Sequence, residues 1–256
     1  MAQDAAQDQP IQRRRFRPWL VLSIAIVMGV LLSLGTWQVQ RLAWKEDLLA
    51  TIDSRIASEP RPLEDVEALY TAEDDVEYVP VSLSGTFEHE AEQFFLATHR
   101  GQSGWYVYTP LRLADGRALI VNRGFIPYDR RDPASREWAE VEGQVSFTAL
   151  ARNPLFEKPG FVVPDNRPDE NTWYWKDFPT MRAAMGLDED ETLPFFADAR
   201  ENPAGEATYP IAGVTIIALP NNHLQYAVTW YGLAAALAAV AGFMFFRKPD
   251  EHDRQP

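Results

Sequence analysis

The chain has no cysteine among its 256 residues. That absence excludes disulfides, thiolate nucleophiles, iron–sulfur ligation, thiolate zinc sites, C-x-x-C-H attachment of a porphyrin and copper transfer between thiolates. It does not choose a compartment, because zero fits reducing and oxidising surroundings alike. Basic residues are scarce: 24 Lys+Arg stand against 37 Asp+Glu, for a net charge of −13. A phosphate backbone rewards clustered cations, so no nucleic-acid partner is expected. G-x-S-x-G, a Walker loop, H-E-x-x-H and a paired-carboxylate motif are all missing, and no internal repeat occurs. Nothing therefore points to an enzyme. His89 and His99, ten residues apart, could flank a site or be ordinary surface residues. A tethered hydrolase would need more than they offer.

Charge is missing altogether from two long runs. Trp19 to Trp37, "WLVLSIAIVMGVLLSLGTW", has 19 uncharged residues. As a helix it is roughly 28 Å long, close to the hydrocarbon thickness of a bilayer. Leu224 to Phe246, "LQYAVTWYGLAAALAAVAGFMFF", has 23 and can span with some tilt. Trp19, Trp37, Tyr226, Trp230 and Tyr231 fall near the span edges, where amphipathic rings settle. Arg13, Arg14, Arg15 and Arg17 precede the first span, and Arg247 and Lys248 follow the second. Only Arg41 and Lys45 lie close on the opposite side. The positive-inside rule then places both termini in the cytoplasm. A cleaved signal peptide is the competing reading of the first run, with Ser33-Leu34-Gly35 as a cleavage site. The helical pattern continuing into "QVQRLAWKEDLLATI" argues for an anchor instead.

The expected organisation is a basic tail (1–18), a transmembrane helix (19–37), an extracytoplasmic domain (38–222), a second transmembrane helix (223–246) and a short cytoplasmic tail (247–256). Seven of the 24 cations and five of the 37 acids lie outside residues 38–222, which leaves 17 against 32 and a net of −15 in the outer domain. Residues 38–58 continue the first helix, with an apolar stripe at Leu42, Leu48, Leu49, Ile52 and Ile56. Residues 61–75 are acidic and read as an exposed loop or a ragged helix. Strands are expected in "EYVPVSLSGTF", "EQFFLATHR", "GWYVYTPLRL", "ALIVNRGFIP", "GQVSFTALARN", "NTWYWKDF", "LPFFADAR" and "GVTIIALP". Asp115-Gly116 marks a hairpin turn. Residues 179–186 read as a short helix between a proline and a glycine. Residues 154–168 form a proline-bearing loop, a lid or a plain connector. The fold class is α+β: two transmembrane helices flanking one mostly antiparallel domain, barrel- or sandwich-like.

The polar chemistry concentrates at the mouth of the second span, in "NNHLQYAVTWYGLA". Asn221-Asn222 are good helix caps, which puts His223 in the first turn. A neutral imidazole keeps a lone pair for a metal, and histidine is a common axial ligand of haem iron. His223, Tyr226, Trp230 and Leu233 share a side of the helix, so an apolar aromatic slot lies beneath the imidazole. The plainer reading is a capping histidine in an aromatic belt. Trp37, Arg41 and Lys45 recur every four residues along the first helix, and their cations suit propionates or lipid headgroups. Gly29 and Ser33 in one span, with Gly232 and Ala236 in the other, suggest a small-residue packing track. In Asn122-Arg123-Gly124, Arg123 is read as an ion-pair member and Gly124 as a bulge or left-handed position.

Three stretches together, "LGTWQVQRLAWK" (34–45), "SGWYVYTPLRLADGRALIVNRGFIP" (103–127) and "NNHLQYAVTWYGLA" (221–234), with the two-span layout, resemble the surfeit locus protein family of cytochrome c oxidase assembly factors. The family form of the central stretch is NRGW, and Phe125 stands here at the tryptophan position. The resemblance implies a non-enzymatic factor of the bacterial inner membrane with a periplasmic domain. It implies transient, non-covalent binding of haem a and help in its delivery to oxidase subunit I, with haem a synthase as a further partner. The family's proposed iron ligand falls on His223. Tyr226, Trp230, Trp37 and Arg41 are the accompanying cofactor-binding candidates. A haem-free scaffold for oxidase intermediates is the alternative.

Overall fold

In a computed structural model, residues 18–132, 135, 141–203, 209–215 and 221–246 are described. The basic residues that set the expected orientation, 13–17 and 247–248, lie outside them. Two helices are long and apolar enough to cross a membrane: α1 (Pro18–Ile56) and α4 (His223–Phe246). Contacts divide the chain into two compact units: residues up to Leu48 together with those from Leu219, and Leu49–Ala218.

In the first unit α1 and α4 pack antiparallel. Their less exposed residues recur at alternating steps of four and three: Ile24, Met28, Leu31, Gly35, Gln38 and Leu42 on α1. His223, Ala227, Trp230, Ala234, Leu237 and Ala241 do the same on α4. That 3.5-residue period winds two helices around each other in a left-handed sense. Alanines stand at every seventh position of the α4 side, the small residues that favour helix association where lipid supplies no hydrophobic force. The tightest point is Gly35: a Cβ there would lie 2.8 Å from Cε1 of Tyr231. The expected track of Gly29 and Ser33 against Gly232 and Ala236 is not the seam. All four are exposed, and nothing lies within 4 Å of a Cβ placed on Gly29 or Gly232. Polar side chains along the spans bond back to their own helix: Ser23 to the Trp19 carbonyl and Thr229 to the Gln225 carbonyl, each at 2.9 Å.

The second unit is a mixed seven-stranded sheet: β1 (Pro80–Phe87), β2 (Gln93–His99), β3 (Gln102–Arg112), β4 (Ala118–Pro127), β5 (Gln144–Arg152), β6 (Thr172–Trp173) and β7 (Thr192–Ala199). The order is β1-β5-β7-β4-β3-β2-β6, and β1 also pairs with β3 through Thr86–Arg112 and Phe87–Leu111. Five strands thus close on themselves as a small barrel, with β2 and β6 continuing from β3. Most pairs are antiparallel; β4–β7 and β2–β6 are parallel. The alternation in β1 and β5 puts Val81, Leu83, Phe87, Val145, Phe147 and Ala149 inside the barrel. β4 is buried on both faces. Its Leu119 and Val121 join the barrel core, while Ala118 and Ile120 pack with Tyr108, Trp173 and α3 (Phe178–Ala184) outside it.

Residues expected as a loop or ragged helix contain an ordered helix, α2 (Leu63–Glu73), whose Val66 is fully buried in the barrel core. Its acids face outward, which masked the apolar stripe. The β3–β4 turn is as expected: Gly116 has φ 91°, and its N–H donates to the Leu113 carbonyl at 3.1 Å. Asp177 caps α3 by accepting from the Thr180 N–H at 3.1 Å. The expected strand "NTWYWKDF" shrinks to β6. "GVTIIALP" is not a strand over residues 213–215, and its residues 216–220 lie outside the described ones. Ile211 instead makes a single bridge to Phe125. Arg123 is completely buried; its Nη1 lies 3.1 Å from Glu92 and 3.0 Å from His89 Nδ1. Gly124 has φ 130°, with the Ile211 carbonyl where a side chain would go.

Candidate functional site at the helix pair

His223 opens α4, and the Asn222 carbonyl accepts the Tyr226 N–H at 3.2 Å to start the helix. The imidazole lies on the seam. Its Nδ1 is 2.7 Å from Oε1 of Gln38, which α1 buries to 9 % exposure. An amide oxygen only accepts, so in the neutral ring this contact puts the proton on Nδ1 and leaves the lone pair to Nε2. Nε2 makes no hydrogen bond among the described residues. Asn221 Oδ1, two residues earlier, is buried without a hydrogen-bond partner.

Trp37 stands edge-on to this ring, with centroids 6.5 Å apart and planes at 83°, and keeps 53 % of its surface exposed. Four residues further along α1, Arg41 lays its guanidinium 3.9 Å over the Trp44 ring and is itself exposed. Tyr226 faces outward on α4 at 54 % exposure, and Trp230 is half-buried on the seam below His223. One turn on, Tyr231 covers Gly35. Thr36 Oγ1 donates to the Leu32 carbonyl at 2.9 Å, so the Tyr231 hydroxyl, 3.1 Å away, donates to Thr36. The structure therefore brings His223 and Trp37 together directly. It places Trp230 on the same seam, and leaves Tyr226 and Arg41 on open faces nearby.

Gln38 went unnoticed in the sequence as the partner of His223. Its signal was present: it follows Gly35 by three and precedes Leu42 by four, a polar residue at an otherwise apolar seam position. A buried amide there needs a partner, and His223 supplies it.

The chemistry available is that of one imidazole. Among the described residues no group of three His, Cys, Asp or Glu could hold a metal ion. A bare ion needing several protein ligands is a poor fit. A metal that arrives in a macrocycle with its own four nitrogens needs only an axial ligand, and an open Nε2 beside an exposed indole suits it.

The SURF1 family model matches residues 25–235. Surfeit locus protein 1 of Homo sapiens is 35 % identical over 91 % of this chain and 77 % of the human protein. The Rattus norvegicus protein of that name is 36 % identical, over 91 % and 76 %. A SURF1-like protein of Monosiga brevicollis is 34 % identical, over 88 % and 86 %. With the family model running from within α1 through the sheet into α4, the chain belongs to the SURF1 family.

Proposed function

We propose that the protein is an assembly factor for haem–copper cytochrome c oxidase that holds haem a at the mouth of its helix pair and assists delivery to subunit I. Haem a synthase is the source this reading expects. The setting is the bacterial inner membrane, with both termini cytoplasmic and the sheet domain periplasmic. One observation carries the reading: Gln38 fixes His223 with Nε2 open, beside the exposed face of Trp37. Haem iron accepts an axial imidazole, which is the chemistry the group would bring. His223 would hold the iron, Trp37 and Tyr226 would flank the ring plane, and Trp230 would support it from the seam. Arg41 would meet a propionate. A single neutral ligand with no covalent tether suits a cofactor that must be released again.

The test is purification from cells that make haem a, with and without His223→Ala. Loss of the haem absorption bands in the variant supports axial ligation by His223. Equal haem content and an unchanged spectrum remove it. A haem-free scaffold is the second reading, favoured by the size of the sheet domain, residues 49–218, which a one-ligand site does not require. Protein that is always free of haem yet co-purifies with subunit I supports that scaffold.

A further inference from the structure

Within the sheet domain, away from the residues discussed so far, a cleft of about 390 Å³ opens between the end of β5 and the segment after β6. Phe95, Leu155, Pro159, Val163 and Trp175 make its walls mostly apolar, with Arg152 and Lys176 at its floor. The loop 154–168, a lid or connector by sequence, forms one side. It is pinned where the Leu155 carbonyl accepts the Phe178 N–H at 3.1 Å. A volume in this range is that of a small-molecule site.

The floor sets two cations, Arg152 and Lys176, against two carboxylates, Glu77 and Asp198. Arg152 donates Nε to Glu77 at 2.9 Å and Nη1 to Asp198. Asp198 also accepts from Asn122 Nδ2 at 3.1 Å and Thr215 Oγ1 at 2.9 Å. Three of its roughly four acceptor positions are therefore taken. Lys176 feels the charge of Asp198 and Glu77, but no hydrogen bond or ion pair engages its ammonium among the described residues. It stands 5.9 Å from the centroids of Tyr108 and Phe196. Burial lowers its pKa while Asp198 raises it. A half-buried ammonium with unused donors beside apolar walls can donate to an acceptor that enters the cleft in place of water.

Charge selects the acceptor. Glu77 and Asp198 balance Arg152 and Lys176, so the floor is already neutral. A carboxylate ligand would leave one uncompensated negative charge in a poorly solvated place, and a cation would leave a positive one. A carbonyl oxygen satisfies the ammonium and changes no charge. Aromatic walls favour a flat body. We propose that this cleft is a binding site for a flat, apolar, uncharged molecule whose carbonyl oxygen is received by Lys176.

The test exploits the four lysines of the chain, Lys45, Lys158, Lys176 and Lys248. The full-length protein carrying 13C at lysine Cε gives a four-signal NMR spectrum in detergent, and Lys176→Arg identifies the signal of interest. Three probes share one skeleton: 2-acetylnaphthalene, naphthalene and 2-naphthoate. The expected result is a saturable shift of the Lys176 signal with the ketone, the other three signals staying put. Naphthalene and naphthoate should need at least tenfold higher concentration. Lys176→Met should weaken ketone binding about tenfold, in line with loss of one charge-assisted hydrogen bond. The probe comparison on the unaltered chain decides the matter even where that variant does not fold. No Lys176 shift up to ketone solubility overturns the proposal. So does naphthalene or naphthoate acting at the same or lower concentration.

Discussion

Oε1 of Gln38 on α1 accepts the Nδ1 proton of His223 on α4 across a distance of 2.7 Å, and this one bond decides which ring nitrogen is free. Groups that orient a metal-ligating histidine typically contribute tenfold to a hundredfold in affinity. If His223 is the ligand proposed above, Gln38→Leu lowers haem affinity by about that factor while keeping the seam apolar. Gln38→Glu, which still accepts, should keep most of it. Haem titration followed at the absorption bands gives both values. Equal affinities for Gln38→Leu and the unaltered chain would show that the bond does not serve ligation.

The close approach of Gly35 and Tyr231 makes a second prediction. A Cβ at Gly35 meets the Tyr231 ring at 2.8 Å, so a larger side chain must push the helices apart. Overpacking of this kind costs about 1–3 kcal/mol. The chain has no cysteine, so an engineered pair is clean to read. Gln38→Cys with His223→Cys, whose side chains meet across the seam and which leave Tyr231 in place, should cross-link with a short bis-methanethiosulfonate reagent. Adding Gly35→Leu should lower the yield severalfold. Efficient cross-linking despite the Gly35→Leu change would mean that this contact does not hold the pair.

The two examples also mark what the sequence could and could not convey. The uncharged runs announced α1 and α4, because a bilayer-length stretch without charge has few other uses. Alternation announced β1 and β5, whose Val81, Leu83, Val145 and Phe147 face one core. The seam was misplaced, because Gly29 and Gly232 share the small-residue pattern of Gly35 and Ala234. Only the partner helix distinguishes one face of a uniformly apolar helix from another. α2 was hidden by its own acids. Gln38 looked like any polar residue at a membrane edge. The floor of Arg152, Lys176 and Asp198 could not be read at all: β7 must first lie beside β4 and β5, pairings that span long stretches of chain.

Gly124 tests the barrel. Its φ of 130° is a conformation that only glycine adopts readily, and a Cβ would lie 2.1 Å from the Ile211 carbonyl oxygen. Relief requires moving Ile211, whose N–H and C=O both bond to Phe125. Backbone strain and displaced packing together predict about 3 kcal/mol or more of lost stability for Gly124→Ala. Urea denaturation of the full-length protein, followed by far-ultraviolet circular dichroism of the sheet, measures it. A midpoint unchanged from the parent would contradict the geometry at this position.

Asp198 makes the acid limit of the sheet domain predictable. Burial alone would raise its pKa, but Lys176, Arg152 and the bonds from Asn122 and Thr215 hold it below the ordinary aspartate value. An unfolded aspartate titrates near pH 3.9. A carboxyl depressed in the folded state contributes stability that is complete above the unfolded value and disappears as pH falls through the folded one. This contribution is therefore constant at neutral pH and is lost only below about pH 4. Asp198→Asn should remove it at every pH, leaving Arg152 and Lys176 short of a counter-charge. Breaking a buried pair from one side costs about 3–5 kcal/mol. Stability measured from pH 7 down to pH 3 should then fall less steeply below pH 4 in the variant than in the parent, because one of the groups that takes up a proton on acid unfolding is gone. Parallel curves would assign the acid sensitivity to other carboxylates and leave Asp198 a purely neutral packing partner.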